Sequence, residues 1–463
     1  MSLLIQIPFV ILVTLTSGAV ARRLGQSRVI GEIVGGILLG PSVFGRFAPT
    51  AEGALFPPSS IASFEMLSTV GLILFLFLIG TEVNIEHLYH QRATAALAST
   101  LSILAPFAFG VLLAHPLRTR FAPQGIRNLP FVMFLGIAMS VTAFPVLARI
   151  LEERGIQSTS LGTTAITCAA VDDLVAWILL AVALALVGVG GSPLSLAIRL
   201  MGLTIYLLVM IGVVRPIAAR FLRLRQSGGL SIELLAVMVA FAFASAATTD
   251  ALGLHPLFGA FLAGVCFPRV NSLSETLRGR LEMLVSVLLL PLFFALTGMR
   301  TRLDLLDKPA MWLWAATVLL AAMLGKIGGA TAGARWTGQS WRDSLALGAL
   351  LNTRGLVELI VLNIGYNVGV FSPTLFTMLV VMALVTTTCT TPFLNLLGIQ
   401  NDSSPKEKTG GKRMPSPVLN LWLYPVRCRP ACVSAGRCRC AGGNVPSRTS
   451  SLLMHQSVPG IAP

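Results

Sequence analysis

The sequence predicts an all-α polytopic membrane protein with about 13 transmembrane helices. Of its 463 residues, 55% are hydrophobic and only 11% are charged, and the mean hydropathy is +0.81. A soluble domain carries about 25% charged residues, so this chain cannot cover a water-facing surface. Apolar runs of about 20 residues, each long enough to cross a hydrocarbon core, recur from Leu3 to Leu397.

The apolar runs divide into thirteen candidate spans, although counts of twelve or fourteen also fit the hydropathy. Their approximate bounds are 3–22, 29–45, 62–85, 94–115, 128–151, 158–188, 194–222, 232–250, 253–268, 281–300, 310–337, 342–365 and 372–397. Residues 1–400 are therefore expected to form a transmembrane domain. From Asn401 the composition changes to Pro, Gly, Ser and Arg, which predicts a disordered, basic cytoplasmic tail over 401–463.

The basic residues between the spans predict the orientation of the chain. The odd-numbered connections hold fifteen Lys and Arg residues, and the even-numbered connections hold seven. By the positive-inside bias, the odd connections are cytoplasmic, so the N-terminus is expected outside and the C-terminus in the cytoplasm. The same placement explains the net charge of +15 without a nucleic-acid partner. We therefore expect a multi-pass protein of the cell membrane, in contact with lipid.

A weak internal repeat is visible between spans that are seven apart in order. The end of span three, Phe75–Thr81, resembles the end of span ten, Leu292–Gly298, and Gly36–Gly40 in span two resembles Gly259–Gly264 in span nine. Because seven is odd, the repeats would be inverted in the membrane. Inverted repeats are typical of secondary transporters, which bind their substrate near the bilayer midplane. The alternative is coincidence between spans that are all rich in Gly and Leu.

Two adjacent carboxylates, Asp172 and Asp173, lie close to the centre of span six. Placing a carboxylate at that depth costs at least about 2.5–3.5 kcal/mol, so the presence of two requires an explanation. Two neighbouring carboxylates in a low dielectric titrate as a coupled pair, and their oxygens also suit Na⁺ or K⁺. A site at which a proton and a small cation compete would supply the reason. The alternative is a structural pair that bonds to neighbouring helices.

A buried counter-ion for these carboxylates is available in Lys326, near the middle of span eleven. A lone lysine inside the membrane needs a counter-ion, and Asp172 or Asp173 is the candidate. The small residues around Lys326, such as Gly325 and Gly329, would permit close helix approach. The lysine could release its own proton when a cation displaces it, which would make the exchange electrogenic. A purely structural salt bridge is the alternative.

Spans five and twelve each contain a polar interruption, and they too are seven apart. The candidate residues are Ser140, Thr142 and Pro145 in span five, and Asn352, Thr353, Arg354 and Glu358 in span twelve. Pro145 removes a helix hydrogen bond, and the nearby hydroxyls can bond the freed backbone. Arg354 and Glu358 are four apart and can pair on one helix face. Interrupted helices at corresponding repeat positions indicate an ion site, while a simple proline kink is the alternative.

Four stretches together resemble the membrane domain of the monovalent cation:proton antiporter-2 family, the Kef-type branch of the sodium/proton exchanger superfamily. They are Gly31–Pro41, Ser140–Arg149, the pair Asp172–Asp173, and Asn352–Leu359. The resemblance covers about residues 5–398. It implies a secondary transporter, not an enzyme, that exchanges Na⁺ or K⁺ for H⁺ by alternating access.

The resemblance also implies a fold and an assembly. A core would comprise the spans over about 94–188 and 310–397, with interrupted helices crossing at spans five and twelve. A second domain, over about 3–85 and 232–300, would form a homodimer, and a linker span over about 194–222 would join the two halves. The core would then move like an elevator against the second domain.

The resemblance further implies roles for the charged residues. Asp173 matches the family's essential ion-binding carboxylate, Asp172 its neighbour, and Lys326 the lysine that pairs with it. We expect no cofactor and no metal site beyond the transported cation, since the histidines show no ligand spacing. A crowded set of tail cysteines, which could bind a metal, lacks His partners at finger spacing; the set is Cys428, Cys432, Cys438 and Cys440. The alternative function is a Kef-like potassium efflux channel or transporter that works without glutathione. A channel filter of the Thr-Val-Gly-Tyr-Gly type is not found in the sequence.

Overall fold

A computed structural model describes residues 3–82, 92–157, 159–187, 193–224, 232–252, 255–267 and 279–399. All of the regular structure in these ranges is helical. The predicted disordered tail over 401–463 lies outside the described residues.

The helices follow one another closely along the described part of the chain. They are α1 Leu3–Arg23, α2 Arg28–Leu39, α3 Phe44–Phe47, α4 Pro49–Leu55, α5 Pro58–Glu82, α6 Arg92–Phe121, α7 Asn128–Ser140, α8 Phe144–Glu153, α9 Ser160–Val187, α10 Pro193–Val209, α11 Arg215–Leu224, α12 Ile232–Ala251, α13 Pro256–Cys266, α14 Leu290–Arg300, α15 Pro309–Trp336, α16 Trp341–Leu351, α17 Leu356–Asn367 and α18 Pro373–Leu396. Two π-helical turns, Met210–Val214 and Val285–Leu289, continue directly into α11 and α14.

The predicted membrane spans are confirmed as helices. Within the described ranges, ten helices are long and apolar enough to cross a bilayer, and α16 with α17 forms one further span, bent by 44°. Two shorter apolar helices, α7 and α13, correspond to predicted spans five and nine. Many large apolar side chains face outward, including Leu112 and Leu313, at 71% and 69% exposure. An outward apolar surface is what lipid-facing helices require.

The packing of four helices agrees with the predicted inverted repeat. Span two (α2) packs on span ten (α14). A Cβ added to Gly298 would collide with Gly36 and its neighbours. Span nine (α13) packs on span three (α5), where Gly264 faces Gly80 in the same way. The predicted repeat relates span two to span nine and span three to span ten. It therefore relates the contact between spans two and ten to the contact between spans nine and three. Small residues let the helix backbones meet closely in both contacts.

A third glycine-mediated contact brings α6 against α15. A Cβ on Gly325 would lie 2.6 Å from the Pro106 Cα, and one on Gly329 would meet the Leu101 carbonyl. Only glycine permits backbones to approach this closely. The predicted close approach around Lys326 is therefore present. It places the polar face of α6 beside the lysine.

Candidate ion-binding site

The centre of the site is the point where the two interrupted spans touch. The first span breaks between α7 and α8, at residues 141–143, and the second between α16 and α17, at residues 352–355. The Ala143 N–H donates to the Thr353 carbonyl at 2.9 Å, which joins the two breaks. A Cβ on Gly355 would lie 2.8 Å from Val146 Cγ2, so glycine allows this approach. The predicted crossing of interrupted helices is confirmed.

Polar side chains of each break lie at the open carbonyl groups of the other. Arg354 donates to the carbonyls of Ala138 and Met139 at 2.8 and 2.6 Å, at the C-terminal end of α7. The Thr142 hydroxyl lies 3.1 Å from the Leu351 carbonyl, at the C-terminal end of α16. The last carbonyls of a helix have no partner within it and carry partial negative charge. The crossing is therefore held by polar groups that the helices themselves cannot satisfy.

Asp172 is surrounded by hydrogen-bond donors. Its Oδ1 accepts from the Ser99 hydroxyl at 2.6 Å. Its Oδ2 lies 2.9 Å from the Ser102 hydroxyl, 2.7 Å from the Thr142 hydroxyl and 2.9 Å from Lys326 Nζ. A carboxylate has about four acceptor positions, and here four donors from three different spans face them. Asp172 therefore joins the helices around the site.

Lys326 forms a fully buried ion pair with Asp172, and neither side chain has any exposed surface. Its ammonium group also donates to the Ser140 carbonyl, the last residue of α7. A cation at the C-terminal end of a helix is favourable, because the aligned peptide dipoles leave negative charge there. The sequence offered two aspartates as counter-ions for the lysine. The structure places it on Asp172.

Asp173 differs sharply from its neighbour. It is 6% exposed, and its Oδ1 has no hydrogen-bond partner among the described residues. Asn352 Oδ1, in the second break, is also buried without a partner there. A buried oxygen atom without a hydrogen-bond donor raises the free energy of the folded state, unless a proton or a cation binds to it. Asp173 is thus the carboxylate of the pair with an unsatisfied oxygen.

The second buried ion pair joins the second break to the first turn of α17. Arg354 and Glu358 pair at 3.4 Å, as their spacing predicted, and both side chains are fully buried. Glu358 is in the first turn of α17, where the helix dipole favours negative charge. Its Oε2 has no partner among the described residues. The pair is therefore looser than the one between Lys326 and Asp172.

A cavity leads toward this crossing from the start of α2. Its volume is about 10 Å³, and its walls include Ser27, Arg354, Gly355 and Thr387. A neighbouring cavity of about 20 Å³ shares Ser27 and Thr387 and extends to Thr391. Both cavities are small and have polar as well as apolar walls.

The other end of α2 is closed by a polar cluster. Arg300, at the end of α14, donates to Asn363 Oδ1 on α17 at 2.8 Å, and it pairs with Glu65 on α5. Asn363 in turn donates to the Thr297 hydroxyl at 2.9 Å. A Cβ on Gly40, just after α2, would lie 2.8 Å from the Met299 Cα, which fixes this cluster at the far end of α2. With 12 residues, α2 is about 18 Å long, and the cavity and the cluster lie toward its opposite ends.

Residues 10–396 match the sequence profile described as the transmembrane sodium/hydrogen exchanger family. The chain belongs to this family. It is accordingly a secondary transporter, a cation/proton antiporter of the multi-pass membrane class, and not an enzyme.

Several relatives are clearly similar in sequence. The Na⁺/H⁺ antiporter NhaS4 of Synechocystis is 41% identical over 383 residues, which is 81% of this chain and 92% of the relative. The cation/H⁺ antiporter 17 of Arabidopsis thaliana is 41% identical over 395 residues, or 85% of this chain and 48% of the relative. The K⁺/H⁺ antiporter 1 of Saccharomyces cerevisiae is 34% identical over 381 residues, or 80% and 43%. The chain thus spans nearly all of the cyanobacterial relative and about half of the plant and yeast ones.

A solved structure with the same fold is that of the sodium proton antiporter MjNhaP1 from Methanocaldococcus jannaschii. The TM-score is 0.63 at 15% sequence identity, and the match covers 87% of this chain and 99% of that one. At this identity the likeness establishes the fold alone.

The structure adds two residues to those that the sequence indicated. Ser99 and Ser102 on α6 contact Asp172 but were not singled out, because serines are common in membrane helices. Their spacing of one helical turn, on the helix that packs against Lys326, is the signal that could have found them. The structure also refines Pro145, which is the second residue of α8. The helix breaks before the proline instead of kinking at it, since proline is tolerated in a first turn.

Proposed function

We propose that this antiporter exchanges Na⁺ or K⁺ for H⁺, with the proton and the cation competing for Asp173. The observation that carries the proposal is the charge of the site. Three buried acids, Asp172, Asp173 and Glu358, face two buried bases, Lys326 and Arg354. If all five are ionised, the site lacks one positive charge, which one proton or one monovalent cation would supply.

Competition follows from the surroundings of Asp173. Its unpartnered Oδ1 is an acceptor that a proton can neutralise or an alkali ion can contact. In a low dielectric, both ions cannot bind the same carboxylate at once without leaving excess positive charge. Binding of either ion then excludes the other, and this is sufficient to couple their movements. The neighbouring Asn352 Oδ1 is a second candidate oxygen for the cation.

Alternating access is supported by the difference between the two ends of α2. At one end, two small cavities lie beside Thr387, and the first also borders Arg354. At the other end, the contacts of Arg300 with Asn363 and Glu65 close the gap between α14, α17 and α5. We propose that these contacts separate and the cavities close when the site turns to the opposite side. The charge distribution between the spans assigns the cavity side to the cytoplasm.

The moving and fixed parts are proposed from the helix packing. The spans over about 94–188 and 310–397 would move as a core, since α6, α9, α15 and the first break share the Asp172 network and the second break is hydrogen-bonded to the first. The spans over about 3–85 and 232–300 would be fixed and would form a homodimer, with the span over 194–222 as linker. Chemical crosslinking of the detergent-purified protein tests the dimer. A single monomer band at every crosslinker concentration would reject it.

Exchange can be measured in everted vesicles that contain a pH-sensitive dye and hold an imposed proton gradient. Added Na⁺ or K⁺ should collapse the gradient with the wild-type protein, and Asp173→Asn should abolish the response. Asp307→Asn, an exposed carboxylate in the loop after α14, is the matched control and should behave as wild type. Full exchange by Asp173→Asn would make the site assignment wrong.

The same vesicle assay distinguishes between the transported ions that the relatives' names suggest. Parallel additions of Na⁺ and K⁺ determine which ion is preferred. Repeating them with the membrane potential clamped tests whether net charge moves. Cation flux without any proton movement would instead favour the potassium efflux channel.

A further inference from the structure

We infer that Arg154 and Arg342 are positioning residues for transport, which hold the half-helices α8 and α16 together at the ends that lie away from the ion site. Arg154 follows the last residue of α8, and Arg342 is the second residue of α16. Both arginines donate to the segment 397–399, which follows α18. The inference rests on the proposed function, because it concerns the geometry of the proposed cation site.

Arg154 makes three hydrogen bonds at the end of α18. Its guanidinium donates to the Thr391 carbonyl at 3.0 Å and to Asn395 Oδ1 at 2.7 Å, and it also donates to the Ile399 carbonyl. A guanidinium presents five N–H donors in a fixed fork, so one arginine can hold several acceptors at once. Since Arg154 directly follows α8, these bonds fix the end of α8 relative to the end of α18.

Arg342 reaches the same segment from α16. Its Nε donates to the Leu397 carbonyl at 2.8 Å, and its Nη2 donates to the Gly398 carbonyl at 2.7 Å. Gly398 has a φ of +67°, and a Cβ at this position would lie 3.1 Å from Arg342 Nη2. Glycine therefore allows both the turn after α18 and the close approach of the arginine. A cationic donor is favourable here, because the carbonyls at the end of a helix carry partial negative charge.

These bonds complete a ring of contacts around the two half-helices. At the crossing, the Ala143 N–H beside α8 donates to the Thr353 carbonyl beside α16. At the other ends, the two arginines join the same half-helices through the segment 397–399. With 10 and 11 residues, α8 and α16 are each about 15 Å long, so a tilt of a few degrees moves one end by about 1 Å. Opening the ring should thus displace the oxygens of Asp173 and Asn352 relative to each other.

A ring of contacts predicts how the two arginines depend on each other. Loss of either arginine opens the ring, so loss of the second should add little. Arg154→Ala and Arg342→Ala should each raise the cation concentration for half-maximal exchange about tenfold, as expected for one lost charge-assisted hydrogen bond. The double variant should also show a rise of about tenfold. Two independent local contacts would instead multiply to about a hundredfold.

The experiment measures the exchange rate against cation concentration at fixed pH, in everted vesicles that contain the full-length variants. The amount of protein in each preparation gives the maximal rate per molecule, which should change less than about twofold. Gly398→Ala leaves both arginines in place but crowds Arg342, so it should resemble Arg342→Ala and should not worsen it. Arg23→Ala, at an exposed arginine at the end of α1, is the control and should match the wild type.

Two milder variants carry the test if an alanine variant does not reach the membrane. Arg154→Lys keeps the charge but loses the fork, and Asn395→Ala removes one of the three acceptors of Arg154. Each should raise the half-maximal concentration about two- to threefold. Wild-type values in both would overturn the inference.

Three further results would overturn it. The first is an unchanged half-maximal concentration in both alanine variants, and the second is a multiplied effect in the double variant. The third is a lower maximal rate with an unchanged half-maximal concentration, as a merely structural defect would produce. All three leave the proposed function standing while the wild type exchanges and Asp173→Asn does not. Full exchange by Asp173→Asn would instead reject the proposed site, whatever the arginine variants show.

Discussion

Two buried ion pairs lie close together at the centre of this antiporter, yet they are built differently. Lys326 and Asp172 come from helices far apart in sequence and meet at 2.9 Å. Arg354 and Glu358 are one turn apart on the same chain segment and are separated by 3.4 Å. All four side chains are fully buried.

The difference lies in the other partners of each charge. In the first pair, the acid has three further donors, Ser99, Ser102 and Thr142. In the second pair, it is the base that has further partners, the α7 carbonyls, while one oxygen of the acid has none. Asp172 is therefore an anchor that several helices share. Arg354 is mainly a cap for an interrupted helix, and Glu358 accompanies it.

Removing Asp172 should have the largest effect. In Asp172→Ala the buried Lys326 loses its counter-ion and, within the described part of the chain, keeps only its hydrogen bond to the Ser140 carbonyl. Unfolding should therefore be easier by about 3–5 kcal/mol. Thermal unfolding in detergent should show a much lower midpoint, and vesicle exchange should fall to background. Asp307→Asn is again the control. A wild-type midpoint in Asp172→Ala would mean that the pair does not anchor the site.

The second pair should respond unequally to the loss of its two members. Arg354→Leu leaves the Ala138 and Met139 carbonyls without their donor, which should cost about 2–4 kcal/mol. Glu358→Gln leaves those bonds in place and should cost about 1 kcal/mol. Both are measured by the same thermal unfolding. Equal losses in the two variants would contradict the capping role of Arg354.

The polar cluster at the far end of α2 should affect transport more than stability. Asn363→Ala removes one contact to Arg300 and one to Thr297, and these join α17 to α14. If the contacts favour one orientation by about 1 kcal/mol, the apparent cation affinity should change about fivefold. The measurement is the cation concentration for half-maximal exchange. An unchanged value, with normal expression, would show that the cluster does not bias the orientation.

An exposed ion pair gives the smallest expected effect. Arg302 and Asp304 are 2.7 Å apart, but their side chains are 46% and 32% exposed. Such pairs contribute only about 0–1 kcal/mol and are screened by salt. Asp304→Asn should lower the unfolding midpoint slightly at low salt and not at high salt. A large, salt-independent loss would mean that this pair behaves like the buried ones.

Much of this architecture was predictable from local features of the chain. Hydropathy alone located the spans to within a few residues, because each helix must be apolar over the thickness of the bilayer. Asp172, Asp173 and Lys326 were evident, because charges are rare and costly at that depth. The two interruptions were marked by polar residues and Pro145, and the pairing of Arg354 with Glu358 followed from helical spacing.

The tertiary structure decided which of these residues meet. Hydropathy cannot distinguish Asp172 from Asp173, since they are adjacent, but helix rotation turns one toward Lys326 and leaves an oxygen of the other open. The roles of Ser99 and Arg354 depend on partners 73 and more than 200 residues away. Such contacts arise from the packing of whole helices, which is set by glycines on neighbouring spans and not by any short stretch of sequence.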